Sequence, residues 1–422
     1  MWKWFRLQHK KKLDTISPSL CLAKWTQSNI YLGSGMTHSC HHPGPHHIPV
    51  DEIKIDVSAL HNTKYKKQQR QLMLEGIRPT ECDYCWKVED SSNSLSDRIT
   101  KSFTNWSRPF FKEILTQGAN GSNPKYLEIS FDNVCNLKCS YCGPTNSSKW
   151  MDEINRYGPW PDDSTNHYQQ TYIIPNREHN PYIDAFWQWW PDLYPSLHTF
   201  RITGGEPLLS KNTFKVLDYI ISNPNTNLEL SINSNLMADC HVLDKFISKA
   251  KQLKVKKLTI HTSCEAYSHA AEYARNGLQY DTWLDNCYKI LNSIPDVKLD
   301  IMATYNAFSV TTYELFLKDI NTLKGRKWFS RVSLSTSYLR NPNFLSIWVL
   351  PKTYSDYINS QIVYMKRNRF TANEINELER ILELFVTTEQ TNLTEFLKFV
   401  NEHDRRRQTS FIKTFPEMQD LI

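Results

Sequence analysis

A chain of 422 residues, 40% hydrophobic and 13% aromatic, carries enough apolar material for a full core and two or three domains. Thirteen tryptophans exclude a disordered chain, and no apolar run nears the roughly 20 residues needed to span a membrane. The net charge of +6 is mild, and the basic runs Lys10–Lys12, Lys64–Lys67 and Arg405–Arg407 read as solvated faces.

The N-terminus, MWKWFRLQHKKKLD, has no continuous apolar stretch before a small-residue cleavage site and does not read as a secretion signal. A cytoplasmic protein is expected, in which ten cysteines bind metal or lie inert in cores rather than form disulfides. The segment CLAKWTQSNIYLGSGMTHSC reads as two short strands around a Gly-Ser-Gly turn, which brings Cys21 and Cys40 together across a hairpin. Cys40 sits in HSCHHPGPHHIP among five histidines. The PGP core stiffens that loop, and in a strand His38 and His41 would face away from the Cys40 thiol. Cys82-x2-Cys85, in RPTECDYCWK, is a chelating pair. Together Cys21, Cys40, Cys82 and Cys85 are enough to saturate one centre. An iron–sulfur cluster, a four-cysteine zinc ribbon and a site with a histidine ligand all remain open at this point.

A strand-like run from Tyr126 to Phe131 leads into the loop NVCNLKCSYC, with Cys135-x3-Cys139-x2-Cys142. Three thiolates this close can wrap one small inorganic cluster. With no fourth cysteine nearby, a cubane keeps one iron open, whereas a structural zinc would lack a ligand. HTFRIT (198–203) reads as a strand ending in Gly204-Gly205-Glu206-Pro207. Two glycines let backbone approach a ligand closely, and Glu206 offers an acceptor to an ammonium. LELSINSNL ends in Asn233-Ser234-Asn235, and KKLTIHTS ends at Ser263. Cys264 follows, either as a buried apolar thiol or as one that faces the site and returns a hydrogen atom to a substrate radical. Further strands are expected near 297–303 and 331–335, with amphipathic helices at Thr213–Ile221 and Trp283–Ile294. Six strand–helix units imply a parallel sheet with right-handed crossovers, and its motifs follow strand C-termini, where parallel barrels place their sites. The Trp- and Pro-rich segment 143–197 predicts a helix at 182–190 plus an insertion over the barrel mouth. From about 352 to 422, apolar residues at helical spacing predict a packed helical tail.

The cysteine spacing, Tyr141 before its last cysteine and the later GGEP at a strand end together resemble the radical S-adenosylmethionine (radical SAM) superfamily. The resemblance implies a partial (β/α)6 TIM-type barrel in which Cys135, Cys139 and Cys142 hold three irons of a 4Fe-4S cluster. S-adenosylmethionine would bind the fourth iron, with Tyr141 near its adenine. Gly204, Gly205, Glu206 and Pro207 would hold its amino group. Asn233, Asn235 and Ser263 resemble ribose and carboxylate contacts, and Arg275 the arginine that meets the carboxylate. The N-terminal cysteines resemble the auxiliary-cluster module called twitch, related to SPASM, here placed ahead of the barrel. Expected boundaries are therefore 1–100 for a Cys-rich auxiliary module, 121–340 for the barrel and 345–422 for a C-terminal helical extension. The implied activity is reductive cleavage of S-adenosylmethionine to a 5′-deoxyadenosyl radical, which abstracts hydrogen from a peptide, sugar or nucleoside. A second 4Fe-4S cluster would pass electrons, and the reductant would be a flavodoxin or ferredoxin. Two other readings are an enzyme of this kind that modifies nucleic acid and a non-catalytic iron–sulfur electron-transfer protein. No membrane partner is expected.

Overall fold

Alternation of buried and exposed residues along the strands sets the architecture. Lys298–Tyr305 alternates over its whole length, as a strand with one face on the core must. The computed structural model describes residues 2–91, 95–161, 167–169, 172–175, 178–391 and 393–421, so part of the expected insertion over the barrel mouth lies outside the described residues. Its strands are β1 (Gln27–Tyr31), β2 (Met36–His38), β3 (His46–His47), β4 (Tyr126–Ser130), β5 (Lys138–Cys139), β6 (Thr199–Thr203), β7 (Asn225–Asn233), β8 (Val255–Ser263), β9 (Arg275–Asn276), β10 (Lys298–Tyr305) and β11 (Val332–Tyr338). The six strands expected from sequence correspond to β4, β6, β7, β8, β10 and β11. The chain forms two compact units: residues 1–132, 173–204 and 225–231 in the first, and 133–172, 205–224 and 232–422 in the second.

In the first unit a shorter hairpin than expected forms, with β1 antiparallel to β2 and Tyr31 opposite Met36; it includes neither cysteine, because Ala23–Thr26 is a helical turn between Cys21 and β1 and Cys40 lies beyond the end of β2. Gly35 closes its turn at φ +64°, where a Cβ would fall 2.3 Å from the Tyr182 ring, so glycine is required both by backbone and by space. β1 also pairs in parallel with β4, from Gln27 opposite Tyr126 to Tyr31 opposite Ser130, and β4 pairs in parallel with β6. The N-terminal cysteine segment thus contributes a parallel strand of its own, which the six-strand count did not include. A small core of Leu13, Leu20, Leu22, Trp25, Met73, Trp86 and Ile99 packs beside Cys21, Cys82 and Cys85. The helix Pro181–Leu193 covers the predicted 182–190 and starts on Asn180, whose side chain accepts from the Tyr182 and Ile183 N–H groups.

In the second unit β8, β10 and β11 are parallel, with Leu299 opposite both Ile260 and Val332. The helices Lys211–Ser222 and Tyr280–Ser293 bury the apolar stripes predicted for them, including Leu217 and Ile220 on one and Trp283 and Ile290 on the other. The tail is helical, with Ser355–Arg367, Ala372–Thr387 and Leu393–Arg407. Thr371 and Glu374 form a capping box at the start of the second. A two-residue ladder, β5 with β9, sets Cys139 directly opposite Arg275. Among the described residues, no helix is long and apolar enough to cross a membrane.

Two of the basic runs are not solvated faces throughout. Lys66 is 1% exposed, and Arg406 and Arg407 are buried while Arg405 points outward. At 100° per residue, adjacent positions on a helix face different ways, so a run of like charges does not share one environment.

Candidate cysteine centres

The cysteine loop of the second unit is held from several directions. Cys139 pairs with Arg275 across the β5–β9 ladder, and Ser148 Oγ accepts from the Cys135 N–H at 3.2 Å. N–H groups aim at two of the sulfurs: Leu137 N to Cys135 Sγ at 3.4 Å, Asn235 Nδ2 to Cys135 Sγ at 4.0 Å, and Arg275 Nη1 to Cys139 Sγ at 3.5 Å. Such donors suit sulfur that carries negative charge, as a thiolate bound to a cluster does. Burial pushes the Cys142 thiol up to about 12, with a further rise from Cys139. Burial also raises Cys139, against the lowering fields of the Arg275 and Arg407 guanidinium groups. Free thiols here are held neutral by desolvation, and only a bound cation releases their protons.

The GGEP turn packs on the start of that loop. Glu206 N–H donates to the Val134 carbonyl at 2.7 Å, and a Cβ on Gly205 would fall 2.2 Å from that same oxygen. At Gly204, φ +118° and a Cβ position 2.5 Å from Ser130 Oγ exclude any side chain. Pro207 opens a short 3-10 turn capped by Glu206. Glu206 itself is 1% exposed and accepts from Ser234 Oγ at 2.7 Å, the Asn235 N–H at 2.6 Å and the Leu208 N–H at 3.0 Å. Its carboxylate therefore ties the GGEP turn to the Asn233-Ser234-Asn235 strand end. Asn235 also donates to Asn136 Oδ1 at 2.8 Å, so the two motifs meet again beside Cys135.

Tyr141 and Arg275 meet around a residue that sequence reasoning missed. Glu265, fully buried, accepts from the Tyr141 hydroxyl at 2.9 Å and from Arg275 Nη2 at 2.6 Å. The Arg275 guanidinium lies 5.3 Å from the centroid of the Tyr141 ring. Arg275 is thus paired with a carboxylate of its own chain and with the Cys139 sulfur. Glu265 lies two residues beyond Ser263, the last residue of β8, and a buried arginine needs such a partner. That was the signal available. Cys264 is 0% exposed, and its thiol donates to the Ala266 carbonyl at 3.5 Å, the placement of a buried apolar cysteine.

In the first unit Cys21, Cys40, Cys82 and Cys85 all line one cavity. Lys24 Nζ donates to Cys82 Sγ at 3.6 Å and also pairs with Glu81. Ser39 Oγ lines the same cavity, buried and without a hydrogen-bond partner. Lys66 bonds two hydroxyls, Ser28 Oγ at 3.2 Å and Thr37 Oγ1 at 2.7 Å, and Cys40 lies within its electrostatic reach. Burial and the neighbouring Arg70 and Lys24 charges push the Lys66 amine well below its ordinary value, which an anionic occupant would offset, and a buried hydroxyl with no partner among the described residues suits such an occupant as well. Among the described residues, the groups of three whose ligand atoms all come within 4.8 Å of one another are His41/His42/Asp97 and Asp239/Cys240/His241.

The histidines divide. β2 ends at His38, so the strand argument does not reach His41, and it does not hold for His38 either, since residues two apart on a strand share a face. His38 bonds the Cys40 carbonyl and the Tyr31 hydroxyl. His42 lines the cysteine cavity and bonds Asp97 at 2.8 Å. Lys101 Nζ stands 2.8 Å from His41 Nδ1, which sets an ammonium beside the His41/His42/Asp97 group and opposes a metal ion there.

One pH effect follows from Glu206. Burial raises its carboxyl to about 7, against the hydrogen bonds from Asn235, Ser234 and Leu208. A carboxyl whose folded pKa is raised contributes stability below its ordinary range and loses that contribution as pH rises through about 7. Glu206→Gln is expected to flatten the pH dependence of urea unfolding of the metal-free protein between about pH 5 and about pH 8, by on the order of 3 kcal/mol. Equal slopes in the two proteins would remove Glu206 as the cause.

No protein-family model matches the sequence, and no curated protein matches it. The structure of SuiB from Streptococcus suis bound to S-adenosylmethionine is similar at TM-score 0.39 and 13% identity, covering 83% of this chain and 72% of that one. SuiB bound to the precursor peptide SuiA is similar at TM-score 0.38 and 11% identity, over 86% of this chain and 75% of that one.

Proposed function

We propose that this chain is a radical SAM enzyme, with one 4Fe-4S cluster on Cys135, Cys139 and Cys142 and a second on Cys21, Cys40, Cys82 and Cys85. The observation that carries this reading is the meeting of the CxxxCxxC loop with the GGEP turn through Val134, Gly205 and Glu206, beside sulfurs that already receive N–H donors. When bound, the loop cluster supplies the electron that cleaves S-adenosylmethionine to a 5′-deoxyadenosyl radical.

The chain's own residues perform three tasks. Gly204 and Gly205 leave room for the cofactor's methionine end, and Pro207 and Glu206 fix the turn that presents it. Asn233, Asn235 and Ser263, at the ends of β7 and β8, offer hydrogen-bonding groups to the rest of the cofactor. Tyr141, Glu265 and Arg275 form a closed hydrogen-bonded set behind Cys139 that holds the loop in place and keeps a positive charge on its sulfur. In the N-terminal module, Lys24 and Ser39 line the cavity and offer donors to the anionic second cluster, whose charge would in turn favour the protonated form of the nearby Lys66. Four cysteine ligands leave that cluster no open site, which favours electron transfer over substrate binding.

The test is anaerobic reconstitution followed by iron, sulfide and 5′-deoxyadenosine analysis. About eight irons per chain are expected, with 5′-deoxyadenosine released on reduction in the presence of S-adenosylmethionine. About four irons with one zinc would assign the N-terminal cysteines to zinc. Full iron loading with no 5′-deoxyadenosine would make the chain an electron-transfer protein, and the enzymatic reading would fall.

A further inference from the structure

The helix Leu393–Arg407 does more than pack. We infer that Arg407, at its C-terminal end, is a positioning and charge-setting residue for the Cys135/Cys139/Cys142 centre, an inference that rests on the cluster proposed for that loop. Four consecutive loop carbonyls each receive a side-chain donor. Lys138 O is bonded by Arg407 Nη1 at 2.9 Å, Cys139 O by Trp150 Nε1 at 2.9 Å, Ser140 O by the Tyr168 hydroxyl at 2.5 Å, and Tyr141 O by His167 Nε2 at 3.0 Å. This clamp fixes the backbone of Cys139 and the peptide leading into Cys142. Of its donors, Arg407 is the one with a permanent charge.

The Arg407 side chain is 0% exposed and lies 4.7 Å from the Trp150 ring centroid. Its Nε and Nη2 reach the two oxygens of Glu153 at 3.2 and 3.3 Å. Lys138 Nζ stands 2.5 Å from the same carboxylate. Two cations therefore share one anion behind the loop, with Arg407 and Glu153 enclosed and Lys138 at 22% exposure. A buried positive charge stabilises the more negative, reduced form of an iron–sulfur centre and so raises its potential. Only arginine supplies a planar fork that reaches a carbonyl and two carboxylate oxygens together. Arg406 anchors the same helix end on the Gly158 and Pro159 carbonyls, each at 2.9 Å.

The experiment is a redox titration, followed by electron paramagnetic resonance, of the reconstituted full-length protein and three variants. The loop cluster is identified as the signal perturbed by added S-adenosylmethionine. Arg407→Gln is expected to lower its reduced fraction about tenfold at fixed poise, a midpoint about 59 mV more negative for a one-electron couple. Arg405→Gln, which removes the same charge from the exposed face of the helix, is expected to leave it unmoved. Arg407→Lys keeps the charge and is expected to stay near wild type in midpoint. An unmoved midpoint in Arg407→Gln, or an equal shift in Arg405→Gln, would overturn the inference. Should Arg407→Gln fail to load iron, Arg407→Lys decides: a wild-type midpoint supports the inference, and a tenfold loss of reduced fraction overturns it. If the wild-type protein itself shows no S-adenosylmethionine-sensitive signal, it is the cluster assignment that fails.

Discussion

Cys139→Ala is expected to abolish 5′-deoxyadenosine formation, with a loss greater than about a hundredfold, because changes merely behind a metal ligand already cost up to that much. Cys139 is held from several sides. It sits in the β5–β9 ladder, receives Arg275 Nη1 on its sulfur, and has its carbonyl fixed by Trp150. The alanine variant keeps the ladder and the carbonyl bond, so the fold of the loop should survive while one iron ligand disappears. Cys135→Ala and Cys142→Ala are expected to behave alike. The measurement is chromatographic detection of 5′-deoxyadenosine after anaerobic reduction with S-adenosylmethionine, alongside circular dichroism to confirm folding. Release at the wild-type rate from any of the three would contradict the assignment of the loop.

Glu265→Ala is expected to destabilise the metal-free protein by about 3–5 kcal/mol, the usual cost of stranding one partner of a buried ion pair. The pair is fully enclosed, with the Glu265 side chain at 0% and that of Arg275 at 6% exposure. Removing the carboxylate leaves a buried guanidinium whose remaining contact on the loop is the neutral Cys139 thiol, and it also takes the acceptor from the Tyr141 hydroxyl. The double variant Glu265→Leu/Arg275→Met is expected to recover part of the loss, since it removes both charges together. Urea unfolding of the three proteins measures this. A single-variant change below about 1 kcal/mol would mean that Arg275 is compensated elsewhere and that the triad is not the support of Cys139 described here.

Local chemistry was legible from residues alone. Three cysteines at x3 and x2 spacing, two glycines where backbone must approach within contact distance, and apolar residues alternating along strands carry their physical reasons in the sequence. A one-residue change of spacing would alter each of them. Strand and helix positions were likewise readable, because a period of two or of 3.6 is a property of the chain itself. The turn at Gly35 was legible for a related reason, since a glycine there can adopt positive φ, but the meeting of Cys21 and Cys40 on one cavity comes from the fold around the hairpin rather than from its ladder.

What the tertiary structure decided was the surroundings of those motifs. Arg405, Arg406 and Arg407 read as one solvated charge run, yet only the packing of their helix determines which side chains enter the loop. Lys66 read as surface for the same reason and is buried against Ser28 and Thr37. Glu265 carried no motif. Its role exists only because the β5–β9 ladder brings Arg275 opposite Cys139, 136 residues away in sequence, and a desolvated guanidinium requires a carboxylate. The four capped carbonyls could not be read from the chain at all. Backbone groups are the same at every residue, so which of them is buried, and which distant side chain satisfies it, is fixed only when the fold closes over them.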